Sequence, residues 1–523
     1  MSYRVCIPTA GTGSRLGSLT QFVNKSLVGI SNRPTLSHLI EQFPADTEFV
    51  IALGHKGALV REFLVLAYPQ REFIFAEVQP FEGAGSGLGL SLLACKSHLQ
   101  QPFVFLSCDT LVTQPIAAPD ENWMAYAELD ELAPYRTLRL NGEFVADICE
   151  KGVGLACTHK PYIGLAGIHD FENFWKGMEA GGDLAIETGE AQGLRALLTG
   201  NRVRAHGFTW YDTGNLPALT RAREAYQEPN APNILEKANE AIWFVEDQVI
   251  KFSDDKKFIS NRVKRVRELQ GFVPEVNGVQ VHMYRYPKVE GKVLSEVVTL
   301  PLFKQLLDHC AGFWTQQALE PKDAEAFEVT CMGFYRDKTL ERVALFYKNF
   351  AQHDGAQSIN GIPMPEVQTL LNTIDWNWLA QGLPGRFHGD FHFENILWNA
   401  SEQKFTFLDW RQDFGGNLST GDIYYDFAKL LHGLIISHEL IAKDLFTVQM
   451  SDEEISYDFH RKQILVECER YFGGWLVAQG FDVRKVWTLT ALLYLNIAAL
   501  HHYPYSFLLY SLGKTMLAKE MEN

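Results

Sequence analysis

Short apolar runs alternate with segments of helical periodicity over about the first 110 residues. Four apolar runs predict buried strands, and three amphipathic segments between them predict helices. The strands are predicted at YRVCIPTAG, EFVIALG, EFIFAEV and PFVFLSCDT, and the helices at TLSHLIEQF, GALVREFLVLAY and GLGLSLLACKSHL. Strands joined by helices indicate an α/β domain with a mixed, mostly parallel sheet and crossover helices, and a further α/β stretch extends to about residue 226.

The pattern changes at QEPNAPN, where two prolines and two asparagines among polar residues favour a linker. Beyond it, AIWFVEDQVIKFS and VQVHMYRYPKVEG predict strands, and long helical segments follow. Because no internal repeat is visible, the two halves are predicted to be unrelated domains. The predicted boundaries are 1–228 for the α/β domain, 229–234 for the linker and 235–523 for an α+β domain, with a small strand-rich lobe at about 235–295 and a helical lobe at about 296–523.

Length and charge narrow the possible classes of protein. A chain of 523 residues is too long for one hydrophobic core, which agrees with two domains. A net charge of −16 argues against nucleic acid as a partner, although it allows local phosphate-binding pockets. Eight scattered cysteines without paired spacing favour reduced, buried thiols. We expect no signal peptide and no membrane span, and therefore a cytoplasmic protein.

A glycine-rich turn follows the first predicted strand. Gly11 and Gly13 would let backbone N–H groups approach a phosphate closely, and Arg15 and Lys25 would add positive charge. Similar turns occur in dinucleotide-binding proteins and as simple tight turns, so the turn by itself leaves the ligand open.

Two aspartates end apolar strands farther along the same half, Asp109 in FLSCDT and Asp212 in FTWYDTGN. In open α/β sheets, the carboxyl ends of the strands form the ligand-binding edge. Two carboxylates there would hold Mg²⁺ between the α-phosphate of a nucleotide and an attacking phosphate. The alternative is that each aspartate only caps a helix or begins a turn.

The second half contains HGDFHFEN, in which Asp390 and Asn395 are five residues apart. This spacing is typical of a kinase-like loop, with Asp390 as the base that takes a proton from a substrate hydroxyl and Asn395 as a metal ligand. Asp409 follows the predicted strand FTFL and would be the second ligand. Lys251, within VIKF, would pair with nucleotide phosphates, although a single strand lysine more often faces solvent.

The motifs of the first half together resemble a known family. AGTGSRLGSLTQFVNKSL looks like the signature of the sugar-1-phosphate nucleotidyltransferases, and CDT and WYDTGN resemble the family's two metal-binding aspartate motifs. The resemblance covers about 3–226 and implies a Rossmann-like sheet. It also implies catalytic roles for Arg15 and Lys25, and nucleotide contacts for Gly11 and Gly13.

Two further segments extend this resemblance. GAGSGLG resembles the family's base-contacting loop, which implies nucleotide contacts for Gly85 and Gly87. ICEKG resembles its sugar-phosphate-binding segment, which implies that Lys151 contacts the substrate. The sequence has Asn24 and Gly152 at two positions where the family usually has proline.

The second half resembles the aminoglycoside phosphotransferase and choline kinase family over about 235–515. FHGDFHFENIL is similar to its catalytic loop, LDW to its metal motif and GDIYYDFAKLL to the segment downstream, in which Asp426 would be a structural partner of the loop. The resemblance implies a two-lobed, protein-kinase-like fold that acts on small molecules. We expect His388 and His392 to support the loop through hydrogen bonds, and Glu268 is a candidate partner of the strand lysine.

The two resemblances together indicate a reaction sequence, because a kinase makes a phosphomonoester and a nucleotidyltransferase consumes one. We expect the second half to phosphorylate a sugar or small alcohol with ATP. The first half would couple the product to a nucleotide from CTP, UTP or GTP, releasing pyrophosphate and giving an activated precursor for surface polysaccharide. Mg²⁺ is the expected cofactor. The alternatives are a choline or amino-alcohol kinase joined to a CTP:phosphocholine-type cytidylyltransferase, and a regulatory binding protein with one inactive half.

Overall fold

The computed structural model describes residues 3–129, 131–154, 158–200, 202–227, 237–451 and 454–522. The chain divides into two compact units. Unit 1 comprises Met1–Ile259 and Val276–Lys288, and unit 2 comprises Ser260–Glu275 and Val289–Asn523. The predicted linker, 229–234, lies outside the described residues.

Unit 1 contains strands of two sheets and several short ladders. Its strands are β1 Arg4–Pro8, β2 Gly29–Ile30, β3 Arg33–Pro34, β4 Glu48–Leu53, β5 Phe73–Glu77, β6 Phe103–Leu106, β7 Thr110–Val112, β8 Trp123–Tyr126, β9 Thr137–Asn141, β10 Phe144–Cys149, β11 His159–Ile168, β12 Arg204–Gly207, β13 Trp210–Asp212, β14 Glu240–Val245, β15 Gln248–Ser253, β16 Gly278–Val279 and β17 Met283–Pro287. Its helices are α1 Thr35–Ile40, α2 Gly57–Ala67, α3 Leu88–Cys95, α4 Phe171–Thr188, α5 Ala191–Leu198 and α6 Leu216–Ala225, while α7, Lys256–Arg265, crosses the boundary between the units.

The large sheet of unit 1 has the strand order β5-β4-β1-β6-β11-β8-β12-β10-β9 in the described residues. The predicted mixed sheet with crossover helices is confirmed. Its parallel pairs join β5, β4, β1 and β6 in turn, and β8 to β12. The pairs of β11, β9 and β10 with their neighbours are antiparallel, so parallel pairing is concentrated in the first half of the sheet.

The parallel strands are apolar on both faces because helices cover both sides of this part of the sheet. Val5, Cys6 and Ile7 of β1 are fully buried, as are most residues of β4 and β6. β1 lies directly beside β6, so the segments that follow these two strands emerge next to each other. The glycine-rich turn and Asp109 are thereby brought to the same edge of the sheet.

A second, antiparallel sheet of unit 1 has the order β14-β15-β17-β16. It packs against α2: the ring of Trp243 lies 5.3 Å from that of Phe63, and His282 contacts Glu62 at 2.9 Å. Trp243 is 2% exposed and belongs to the same hydrophobic core as β1 and β4. This sheet corresponds to the small strand-rich lobe predicted at about 235–295.

The compact units therefore divide the chain at other positions than the predicted boundaries of 1–228 and 235–523. The physical reason is the apolar face that β14, β15 and β17 bury against the first domain, which alternation along the strands does not reveal. The boundaries themselves stay a prediction, because packing does not report whether a segment folds alone.

Unit 2 is mostly helical in its described part. Its helices are α8 Leu294–Val297, α9 Leu300–Phe313, α10 Pro321–Met332, α11 Lys338–Phe350, α12 Val367–Asn372, α13 Trp376–Ala380, α14 Ile423–Ile435, α15 His438–Ala442, α16 Gln463–Ala478, α17 Val483–Ala498 and α18 Tyr505–Glu522. Its strands are β18 Lys292–Val293, β19 Gln357–Ile359, β20 Ile362–Met364, β21 Pro384–Gly385, β22 Ile396–Asn399, β23 Lys404–Phe407, β24 Gly421–Asp422, β25 Phe446–Met450 and β26 Glu454–Phe459.

Helix α14 forms the centre of unit 2. It begins where the side chain of Asp422 accepts a hydrogen bond from the Tyr424 N–H, an N-cap that satisfies one free donor of the first turn. Nearly every residue of α14 is buried, and it packs against α16 and α17. Because α14 is surrounded in this way, polar side chains along it are held in place by the core.

No helix in the described residues has both the length and the apolar character needed to cross a bilayer. The apolar run near the end of the sequence instead forms α17 and part of α18, as predicted. The described cysteines are all free, and apart from the half-buried Cys149 they are buried, which agrees with the predicted reduced thiols. Cys157 lies outside the described residues.

The contact between the second sheet and α2 gives a stability prediction. Trp243→Ala should lower the free energy of unfolding by about 3–5 kcal/mol, because it removes a large buried ring and leaves a cavity against Phe63. Urea denaturation would measure the loss, and amide hydrogen exchange should become faster in α2. The control is Val279→Ala on β16, where the side chain is 49% exposed and the change should stay within about 0.5 kcal/mol. Equal unfolding midpoints for the two variants would contradict the packing.

Candidate active sites

Asp109 and Lys25 form an ion pair at the carboxyl edge of the large sheet. The Lys25 Nζ lies 3.1 Å from Asp109 Oδ2, and the hydroxyl of Ser107 donates to Asp109 Oδ1 at 2.6 Å. Burial by itself would raise the pKa of Asp109, but Lys25, Ser107 and Arg15 lower it to about 2. Burial likewise opposes the charge on Lys25, and Asp109 nevertheless raises the pKa of Lys25. Both groups therefore carry their charge at neutral pH.

Asp212 is brought beside Asp109 by a short ladder. Strand β13 pairs with β7 so that Asp212 lies opposite Thr110, and the Thr213 N–H donates to the carbonyl of Asp109 at 3.0 Å. The Gly214 N–H and the Asn215 amide each donate to the Asp212 carboxylate, at 2.8 and 3.2 Å. The two predicted metal ligands thus meet, although 103 residues separate them, 212 − 109.

Gly214 marks the point at which the charged groups converge. A Cβ added there would lie 3.0 Å from Asp212 Oδ1, 3.2 Å from Asp109 Oδ2 and 3.2 Å from Arg15 Nη2. Burial raises the pKa of Asp212, and the nearby charge of Asp109 raises it further. The Asp109 and Asp212 carboxylates face one small space and would offer only oxygen atoms as metal ligands, which fits a Mg²⁺ ion. A divalent cation bound there would also remove the repulsion between the two carboxylates.

The glycine-rich turn is shaped around Lys25. Gly13 has a φ of +69°, and a Cβ there would lie 2.7 Å from the Lys25 Cβ, so both backbone conformation and space require glycine. Gly11 lies 3.9 Å from the Lys25 Cε by the same measure. Asn24, where the resembling family usually has proline, is fully buried and donates to the carbonyls of Thr9 and His55. These hydrogen bonds hold the backbone at Asn24, just before Lys25, in place of the stiffness that a proline ring would give at that position.

The remaining predicted residues of this half are Gly85, Gly87 and Lys151. Gly85 has a φ of +79° in an exposed turn. Gly87 is required by packing, because a Cβ there would lie 2.3 Å from the carbonyl oxygen of Ile186 on α4. Lys151 is exposed in the turn after β10, and within the described residues no hydrogen bond or ion pair joins it to Asp109. Ligand contacts of these three residues stay predictions.

In unit 2, Asp390 is held between two cationic groups. Lys429 Nζ on α14 lies 2.9 Å from Asp390 Oδ1, and His392 Nε2 lies 3.6 Å from Oδ2. Burial would raise the pKa of Asp390, but Lys429 and His392 hold it well below its ordinary value. Burial opposes the charge of His392, while Asp390 and Glu394 raise the pKa of His392 to about 9. Asp390 is thus ionised and oriented.

The two predicted metal ligands of this half lie at the same end of a hairpin. Strands β22 and β23 pair with Ile396 opposite Phe407, and the Leu408 N–H donates to the Asn395 carbonyl at 2.7 Å. Asn395 and Asp409 therefore flank the open end of the hairpin. The Asn395 amide nitrogen donates to the Asp390 carbonyl at 2.9 Å. One amide and one carboxylate supply the hard oxygen donors that Mg²⁺ prefers, so these residues fit the ion.

Asp409 has two features that sequence patterns do not show. Its φ is +56°, an uncommon backbone conformation for a residue other than glycine. Its carboxylate also lies 3.3 Å from Arg262 Nη1 of α7. Strained backbone at a polar residue is often found at functional sites, where surrounding contacts maintain it.

Asp426 fixes the backbone of the catalytic loop, as predicted. Its fully buried carboxylate accepts hydrogen bonds from the N–H groups of His388 and Gly389, both at 2.6 Å, and from the Trp314 indole at 3.1 Å. Burial raises the pKa of Asp426 to about 6, and these donors oppose the rise. His388 is also a support: it contacts the Leu408 carbonyl at 2.8 Å, and burial lowers its pKa to about 3.

Lys251 lies on β15 in unit 1, between Ile242 and Tyr284 of the neighbouring strands, and is 7% exposed. It does not face open solvent as a typical strand lysine would. Glu268, the candidate partner, lies in the turn after α7 and is exposed. Its position beyond the helix end leaves that assignment without structural support.

Sequence reasoning missed four residues that organise the two sites: Ser107, Lys429, Arg262 and Arg265. Arg265 is 1% exposed and donates to the carbonyls of Phe387, just before His388, and of Arg411, two residues after Asp409. Lys429 had a detectable signal, because it follows Asp426 by three residues and a helix places such residues on one face. Arg262 and Arg265 give no local pattern, since their partners are far away in the sequence. Ser107 lies only two residues before its partner Asp109, but nothing in FLSCDT marks it as a hydrogen-bond donor to that carboxylate.

Comparison with known proteins separates the two halves. Residues 280–446 match the phosphotransferase enzyme family. The matched segment contains the predicted catalytic loop, Asp409 and α14. Among curated proteins, no sequence matches the chain.

Several solved structures are similar to the first half. A UDP-glucose pyrophosphorylase complexed with UDP-glucose is 18% identical, with a TM-score of 0.38 over 43% of this chain and 98% of that chain. A putative glucose-1-phosphate thymidylyltransferase from Bacillus anthracis is 17% identical, with a TM-score of 0.37 over 45% and 98%. The CTP:phosphocholine cytidylyltransferase from Streptococcus pneumoniae is 15% identical, with a TM-score of 0.36 over 43% and 100%.

For the second half, the match and the loop geometry agree: residues 280–446 carry a domain of the phosphotransferase enzyme family.

Proposed function

We propose that the chain is a bifunctional transferase in which unit 2 contributes the base of a small-molecule kinase and unit 1 contains a nucleotidyltransferase site. The observation that carries the proposal is that each unit gathers its own acidic and basic groups into one arrangement. These are Asp109, Asp212 and Arg15 around Gly214, and Asp390 with Lys429 beside Asn395. A site that had lost its function would have no reason to keep such groups together, since clustered charges cost stability.

The kinase step would transfer the γ-phosphoryl group of ATP to an alcohol. The hydroxyl oxygen of the acceptor forms a bond to the γ-phosphorus, the bond from the γ-phosphorus to the β-bridging oxygen breaks, and ADP leaves. Asp390 accepts the hydroxyl proton. Its low pKa makes it a weak base, so its main contribution is to orient the hydroxyl until proton release becomes favourable late in the transfer.

The nucleotidyltransferase step would use the resulting phosphomonoester. One of its phosphate oxygens forms a bond to the α-phosphorus of CTP, UTP or GTP, the bond between the α-phosphorus and the bridging oxygen breaks, and pyrophosphate leaves. Arg15 and Lys25 lie beside the two aspartates and would offset the negative charge of the phosphates. Bound Mg²⁺ would neutralise phosphate charge at both the Asp109–Asp212 pair and the Asn395–Asp409 pair.

A sugar or a small alcohol as acceptor, ATP as donor and an NDP-linked product form the detailed proposal. The proposed use of the NDP-linked product in surface polysaccharide synthesis rests on the sequence resemblance. The test is incubation of the purified chain with Mg²⁺, ATP and each of CTP, UTP and GTP against a panel of sugars and alcohols, with products identified by mass spectrometry. An NDP-linked product supports the proposal. Intact nucleotides in every mixture, together with nucleotide binding, would instead favour the regulatory alternative.

The assignment of Asp390 gives the first activity prediction. Asp390→Asn should reduce ATP-dependent phosphorylation by about 10²–10⁴-fold, because the amide cannot accept the hydroxyl proton. Release of pyrophosphate from the NTP, measured with a supplied phosphomonoester as the second substrate, should be unchanged, which makes the first half an internal control for folding. Phosphorylation at a rate close to that of the unchanged protein would show that Asp390 is not the base.

The convergence at Gly214 gives the reciprocal prediction. Asp212→Asn should reduce pyrophosphate release by about 10²-fold or more, since it removes one of two carboxylates from a site that would hold Mg²⁺ through few protein ligands. Phosphorylation should continue at its normal rate. Pyrophosphate release that survives in Asp212→Asn, and also in Asp109→Asn, would remove the metal-site reading.

The hydrogen bonds of Asp426 give a third prediction. In Asp426→Asn, one of the two loop N–H groups would face an amide N–H₂, so unit 2 should lose about 1–3 kcal/mol of stability. The loop would also be displaced, and kcat for phosphorylation should fall by about tenfold or more. Thermal melts and steady-state kinetics measure the two effects. Asp308→Asn, an exposed change on α9, serves as the control and should alter neither quantity.

A further inference from the structure

Four cationic side chains from three different parts of unit 2 lie near one another, and one of them, Lys429, contacts Asp390. Lys338 and Arg342 are one turn apart on α11, and Lys429 is on α14. Arg411 follows strand β23 and the predicted metal ligand Asp409. These four residues are called the basic cluster. Helical residues that are four positions apart face the same side, so Lys338 and Arg342 point together.

Several contacts define the geometry of the basic cluster. Lys338 Nζ and Arg411 Cζ both lie over the ring of Phe334, 4.4 and 4.9 Å from its centre. Arg411 also packs against the backbone of the catalytic loop, because a Cβ added at Gly389 would lie 2.5 Å from the Arg411 Cβ. Lys429 reaches Asp390 at 2.9 Å from α14. Lys429 therefore contacts the residue that would hold the acceptor hydroxyl, Arg411 lies beside the neighbouring Gly389, and Lys338 shares the Phe334 ring with Arg411.

The basic cluster has more positive charge than its neighbours balance. Within the described residues, Asp390 pairs with Lys429, whereas no carboxylate forms an ion pair with Lys338, Arg342 or Arg411. The Nε of Arg411 is buried without a hydrogen-bond partner. Burial, followed by the charges of Arg411, Lys429 and Arg342, lowers the pKa of Lys338 to about 7, against the opposing effect of Asp390.

Such an arrangement is unfavourable in the absence of a ligand. Like charges in a partly buried site repel each other, and an unpaired buried donor costs free energy. An apolar core would avoid both costs, so the arrangement has a purpose only if an anion completes it. A cationic ligand such as a quaternary ammonium alcohol would be repelled at the same place.

We propose that the basic cluster binds an acidic group of the acceptor, a carboxylate or a phosphate, so that the kinase substrate is an anionic alcohol. The proposal rests on the proposed kinase function of unit 2, because it assigns the class of acceptor. The acidic group is held by Lys338, Arg342 and Arg411, and the hydroxyl is presented to Asp390. The acidic group itself does not react, and the product has one phosphate more than the acceptor.

The first experiment compares acceptors that differ mainly in charge: choline, glycerol, D-glycerate and glycerol 3-phosphate. ADP release and mass spectrometry give kcat/KM for each in the presence of Mg²⁺ and ATP. We expect an anionic member to have the highest value. A highest value for choline or glycerol would overturn the proposal while leaving the kinase function intact.

The second experiment separates the acceptor from ATP. In the double variant Lys338→Met/Arg342→Met, KM for the anionic acceptor should rise about tenfold or more, since each charge-assisted contact is worth about a factor of ten. KM for ATP should change by less than about twofold. The matched control is Lys348→Met, an exposed lysine on the same helix, which should alter neither constant. A rise in KM for ATP alone would mean that the basic cluster serves the nucleotide, and the proposal would fail.

A binding measurement covers the case in which no panel member is turned over. Calorimetric titration with inorganic phosphate, in the presence of saturating Mg²⁺ and ADP, would probe the basic cluster directly. The unchanged protein and Lys348→Met should bind phosphate at least about tenfold more tightly than the double variant. Equal affinities in all three proteins would overturn the proposal. If the unchanged protein does not bind ADP, that result would instead count against the kinase function.

Discussion

The hydrogen bonds between Asp426 and the catalytic loop are the interaction on which the kinase-like site depends. A buried carboxylate accepts from two successive backbone N–H groups, at His388 and Gly389, and so fixes the peptide planes immediately before Asp390. The same helix then presents Lys429 to Asp390. Since α14 is buried among α16 and α17, its position is set by hydrophobic packing. The core of unit 2 thus determines where the Asp390 carboxylate lies.

In unit 1, strands rather than a helix position the acidic side chains. Asp109 follows β6, Asp212 ends β13, and the β7–β13 ladder brings the two carboxylates together. Lys25 compensates the charge of Asp109, whereas Asp212 is left with a raised pKa beside it. The unequal environments leave Asp212 without an ion pair of its own in the described residues, a suitable condition for binding a divalent cation with a nucleotide.

Under the proposed function, the basic cluster would link the chemistry of the two halves. If the acceptor is anionic, the phosphomonoester released by the kinase has at least two acidic groups, and the nucleotidyltransferase site would receive a highly charged substrate. Arg15, exposed at the turn, and Lys25 are suited to such a ligand because guanidinium and ammonium groups bind phosphate and carboxylate directly. If the basic cluster binds the acceptor as proposed, a cationic amino alcohol, one of the alternatives raised by the sequence, would be disfavoured by the same charges.

The sequence alone determined the features that depend on neighbours along the chain. Apolar periodicity indicated the crossover sheet, and the spacing within HGDFHFEN and its downstream strand indicated Asp390, Asn395 and Asp409. Tertiary structure decided what depends on distant partners: the packing of β14 on α2, the pairing of Arg262 with Asp409, and the basic cluster. The physical reason is that local patterns encode which face of an element is buried, whereas the position of a charge relative to another element follows only from how the elements pack.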